Sequence, residues 1–124
     1  QKKACLMMYF VDRSLAVIKP KQPFIDWLKA IPNTDLIDIQ IDNLRVDCNS
    51  FLLPECQEPE EAVAYIDTIF DKLFEMELAA WEDDTSLWPS DRSLLTFWTW
   101  FDVEIHSTVF DSVDADIRNI PAQA

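Results

Sequence analysis

Side-chain catalysis needs a group that titrates near neutrality, an activated nucleophile or a set of metal ligands, and this chain offers few of them. Its only histidine is His106. Glu104 precedes it by two residues in the segment VEIHSTVF, residues 103–110, whose alternation predicts a strand. Residues two apart on a strand share a face, so the Glu104 carboxylate could orient the His106 imidazole as an acid–base pair. Ser107 is adjacent in sequence but points to the opposite face, which breaks any Ser–His arrangement. A lone histidine on a strand is more often structural or simply exposed. Lys19 and Lys21 flank the junction between a short apolar run, SLAVIK, and a helical segment. Ammonium groups beside the free N–H groups of a helix start suit an anion such as phosphate or carboxylate. In so acidic a chain, pairing with carboxylates is the simpler use of them.

Metal and redox chemistry are poorly supplied. Cys5, Cys48 and Cys56 are three in number with no C-x-x-C, which argues against a disulfide framework and for a reducing compartment. A set built from Cys48, Cys56 and His106 matches no common zinc spacing, so no metal is expected. The chain has no glycine. P-loops, dinucleotide-binding G-x-G-x-x-G turns and G-x-S-x-G elbows need glycine where a side chain would clash or φ is positive, so all three are excluded. No cofactor is expected.

Charge bears on partners. The net charge is −13, split between residues 1–30 with six basic and two acidic groups and residues 31–124 with four basic and 21 acidic groups. The acidic body disfavours nucleic acid and anionic membrane as direct partners. It admits a basic protein partner or mimicry of nucleic acid, and the opposed charge of the two portions suits self-association. Lys2 and Lys3 before ACLMMYFV imitate a secretion signal, but the apolar run is short and Asp12 and Arg13 follow at once. A cytoplasmic location and an N-terminal arm or strand over residues 1–11 are expected, and no membrane span.

The elements that must position these side chains follow from periodicity. Residues 14–19 form an apolar strand. Pro23 opens a helix that Pro32 stops, with Phe24, Trp27, Leu28 and Ile31 on its apolar face. LIDIQID, residues 36–42, alternates like a strand, Asp42 can cap a short helical turn, and residues 50–53 form another strand. Residues 58–81 give the clearest helix, with Pro59, Glu60 and Glu61 in its first turn. Asp67, Asp71 and Glu75 form a solvated acidic ridge along it. A further helix is capped by Ser90 or Asp91 and runs to about Phe101, with Leu94, Phe97, Trp98 and Phe101 on one face. Residues 112–124 make a loosely held tail. Together these predict a single α+β domain over residues 1–124. The expected form is a two-layer sandwich with helices on one face of a small mixed or antiparallel sheet. A ferredoxin-like order with one inserted helix is the candidate topology. Of the five tryptophans, Trp27 is a core anchor, and Trp88 and Trp100 are the interface candidates.

The segment DRSLAVIKPKQPFIDWL, residues 12–28, resembles the opening of a family of small bacterial proteins with the pattern RS-x-x-V-x-KPKQPF-x-x-WL. The similarity continues at FLLPE, at PEEA, and from SLWP to HSTVFD, and leaves out residues 1–11. No activity is established for that family. The resemblance implies a compact bacterial domain and transfers no catalytic residue.

Three functions fit these observations. The leading expectation is a non-enzymatic interaction or regulatory module that self-associates. The alternatives are an enzyme or binding domain for a small anionic ligand, using Lys19, Lys21 and His106, and an acidic mimic of nucleic acid.

Overall fold

The computed structural model describes residues 7–32 and 41–122. Residues 36–40 of the strand expected over residues 36–42 lie outside them, as do Cys5 and the start of the N-terminal arm, while Ile41 and Asp42 are helical rather than extended. The described elements run β1 (Tyr9–Val11), β2 (Arg13–Pro20), α1 (Gln22–Ala30), α2 (Ile41–Leu44) and β3 (Asn49–Pro54). They continue through α3 (Pro59–Ala79), α4 (Leu94–Trp100), β4 (Phe101–His106) and β5 (Val109–Asp111). The fold is α+β.

The sheet is antiparallel with order β3-β2-β4. In a ferredoxin-like sheet the third, first and fourth strands stand in this order. The alternation of β2 sorts its two faces. Ser14, Ala16, Ile18 and Pro20 are buried, while Leu15, Val17 and Lys19 are half-buried. Phe24, Ile66, Leu73, Phe74, Leu78 and Phe97 from the helices pack with Phe101 and the buried β2 residues as one core. Hydrophobic burial on this inner face is the main stabilising term.

Local sequence explains the helices. Pro23 and Pro59 occupy first-turn positions, where the missing N–H is not needed. Glu61 accepts the N–H groups of Gln57 at 2.6 Å and Glu58 at 3.3 Å, which secures the start of α3. Ser93, rather than Ser90 or Asp91, caps α4 by accepting the Thr96 N–H at 3.3 Å. Leu94, expected on the core face, is exposed, because α4 begins there and turns Phe97 inward instead.

The predicted last strand is broken at Ser107–Thr108 into β4 and β5. Leu15 faces His106 while Val11 faces Val109, so the β1–β2 side carries one more residue between those pairs. Asp12 sits in that kink, a β-bulge. Beyond it β1 and β5 form a two-stranded ribbon that leaves the sheet. Residues 112–122 follow as exposed, irregular chain, tied to the ribbon where Tyr9 Oη donates to Asp114 at 3.0 Å. No helix among the described residues is long and apolar enough to cross a membrane.

Candidate functional site: the open face of the sheet

The helices cover one face of the sheet, and the other face holds Lys19, Glu104 and His106. Cross-strand pairing sets Leu52 beside Leu15 and Leu15 beside His106, and Val17 between Ser50 and Glu104. Lys19 stands opposite Asp102. Leu52 is 49% exposed, and Asp102, Glu104 and His106 are all exposed.

Glu104 lies between Lys19 and His106. Its Oε2 is 3.0 Å from Lys19 Nζ, and its Oε1 is 3.1 Å from His106 Nε2. The Lys19 ammonium first, and His106 second, hold the Glu104 carboxyl below its ordinary range. The structure therefore brings the Glu104–His106 pair and Lys19 together. They stand on an exposed surface and line neither the cavity beside Glu77 nor the one beside Asp114. An acid–base pair there lacks the concave, water-excluding walls that bind a small substrate.

Lys19 and Lys21 do not converge on a vacant anion position. Lys19 is held by Glu104. Lys21 Nζ donates to the Trp98 carbonyl at 3.2 Å and lies 3.9 Å from Asp102. Arg45, which the sequence did not single out, reaches Asp102 at 3.0 Å and the Pro20 carbonyl at 2.8 Å. The ion pairs of this face and its margin join four basic side chains, Arg13, Lys19, Lys21 and Arg45, to three acidic ones, Asp12, Asp102 and Glu104. Within these ion pairs there is no acidic surplus, although the chain's net charge is −13 and Asp111, Asp114 and Asp116 stand beside the ribbon.

On the ribbon, Phe10 is paired with Phe110. Their rings are 4.8 Å apart, and they are 77% and 56% exposed for Phe10 and Phe110. Sequence reasoning missed this pair, because neither ring can be assigned a neighbour until strand pairing is known.

Trp88 and Trp100 are placed differently from an exposed interface. Trp100 packs among Phe24, Trp27 and Phe74, and Trp88 donates its indole N–H to the Glu82 carbonyl at 2.7 Å. Both lie half-buried against the core. Asp67 of the acidic ridge accepts the Trp98 indole N–H at 2.8 Å, so it has a packing role as well.

Cys48 and Cys56 flank opposite ends of β3, which separates them from one another. Partial burial pushes the Cys48 thiol up, so it is a poor thiolate nucleophile. Among the described residues no cluster of three or more His, Cys, Asp or Glu side chains could hold a metal ion. Comparison with protein-family models, curated proteins and solved structures finds no match to this chain.

Proposed function

We propose that the protein is a non-enzymatic interaction or regulatory module that self-associates through the open face of its sheet and the β1–β5 ribbon. The observation that carries this reading is the exposed Phe10–Phe110 pair on the ribbon, with exposed Leu52 on the sheet. Exposed apolar surface marks interaction sites in soluble proteins. A two-stranded ribbon is at best marginally stable alone and gains from being covered.

A second copy of the chain is the occupant that the charges favour. Two molecules of net charge −13 repel, and the open face is a surface on which that repulsion is locally cancelled. A two-fold axis lying in the plane of contact, parallel to the sheet, would turn the two open faces toward each other and let Lys19 of one protomer approach Glu104 or Asp102 of its partner. The small-anion reading is weaker, since both lysines already have carboxylate partners.

A dilution series followed by NMR tests the reading. Methyl signals of Leu15 and Leu52 and ring signals of Phe10 and Phe110 should shift with concentration, while those of the core residues Ile66 and Leu78 stay fixed. Signals on the open face that do not change with concentration would overturn self-association through it.

A further inference from the structure

The β2 end, the start of α1, the α2–β3 connection and the last turn of α3 enclose a cavity of about 270 Å³. It is unrelated to the open face. Its apolar lining includes Ile18, Phe24, Leu44 and the indole of Trp81. Glu77, also in the lining, is only 8% exposed. Its Oε2 accepts the Asn49 side-chain N–H at 2.7 Å. No hydrogen bond from another described residue reaches its Oε1. Among the described residues no lysine, arginine or histidine lines the cavity, whereas Asp47 does. The nearby cations are engaged elsewhere, Lys19 with Glu104 and Arg45 with Asp102.

The helix adds to this. Glu77 lies in the last turn of α3, a 21-residue helix with no basic residue in that turn. A helix C-terminus is the negative pole of the helix dipole and favours a cation. A buried carboxylate without a cation partner is costly, and at a helix C-terminus the cost rises. Burial does push the Glu77 carboxyl up, with the Asn49 hydrogen bond opposing.

We propose that this cavity binds a small primary amine, its ammonium group on Glu77 and its apolar body against Trp81, Phe24 and Leu44. The size suits a ligand smaller than the drug-sized molecules that occupy pockets of roughly 300 Å³ and above. A neutral isostere loses the charge-assisted contact, and an anion meets Glu77 and Asp47.

The test uses benzylamine against benzyl alcohol and benzoate on the full chain, in phosphate buffer so that no buffer amine competes. Binding is followed by titration calorimetry and by the NMR signals of the Trp81 indole and the Asn49 side-chain amide. Benzylamine should bind at least tenfold more tightly than benzyl alcohol, and benzoate should not bind. Glu77→Gln, checked for folding by circular dichroism, should lose that preference. Ala80→Phe adds bulk at an exposed lining position outside the core and should block benzylamine with Glu77 intact. Benzylamine that fails to bind, binds no better than the alcohol, or binds Glu77→Gln as well as the parent overturns the proposal.

Discussion

Glu77 and Glu104 show one residue type driven in opposite directions by its surroundings. Glu77 is raised by burial, so the folded chain holds that proton more tightly than the unfolded chain does. The penalty for its charge is absent below the ordinary carboxyl value of 4.5 and grows as pH rises through the folded value. Glu77→Gln keeps an acceptor for Asn49 and removes the charge. Its melting temperature, relative to the parent, should therefore climb as pH is raised from about 4 to 7. A difference that stays flat across that series contradicts the burial of a charge. Glu104 is lowered, chiefly by Lys19, so its small contribution is present above the ordinary value and lost as pH falls through the folded one. Lys19→Met should move the Glu104 midpoint upward in a carboxyl NMR titration, and an unmoved midpoint denies the contact. The Glu104–His106 pair was legible in the sequence because alternation on a strand is a strong rule, whereas the Lys19 contact depends on the pairing of β2 with β4. Glu77 was not singled out by the sequence, although it follows Leu73 by four residues on α3. It was hidden among 23 acidic residues, and only its burial sets it apart.

The elements themselves followed from local chemistry. Proline at the starts of α1 and α3, periodic apolar faces, and the apolar run of β2 act within a few residues, so the sequence carries them directly. The bulge at Asp12, the break at Ser107–Thr108 and the ribbon depend on which strand lies opposite, and a single chain read in order does not contain that. Trp88 and Trp100 illustrate the same limit, since tryptophan suits both interfaces and cores and only packing decides. Two substitutions test the local devices. Glu61→Ala removes the acceptor for two N–H groups before α3 and should cost about 1 kcal/mol in chemical denaturation. Trp98→Phe deletes the 2.8 Å hydrogen bond to Asp67 and should cost about 1 kcal/mol, with the rest of the ring packing retained. Values near zero for either would remove the stabilising role assigned to those contacts.

At the scale of the molecule, one face of a three-stranded sheet is covered by helices and the other is left to solvent with apolar side chains, paired charges and an exposed aromatic ribbon. The net charge of −13 disperses copies of the chain, and the open face is where that charge is balanced. Self-association should therefore depend on the Phe10–Phe110 pair more than on any single ion pair, because exposed ion pairs contribute little. The most direct measurement is sedimentation equilibrium of the parent chain and of the Phe10→Ser/Phe110→Ser double variant. Both rings are exposed, so the variant should keep the parent's fold by circular dichroism. A parent that fits a reversible dimer and a variant at least tenfold weaker is the predicted result. A parent that stays monomeric at every concentration, or a variant that associates as strongly as the parent, would contradict it.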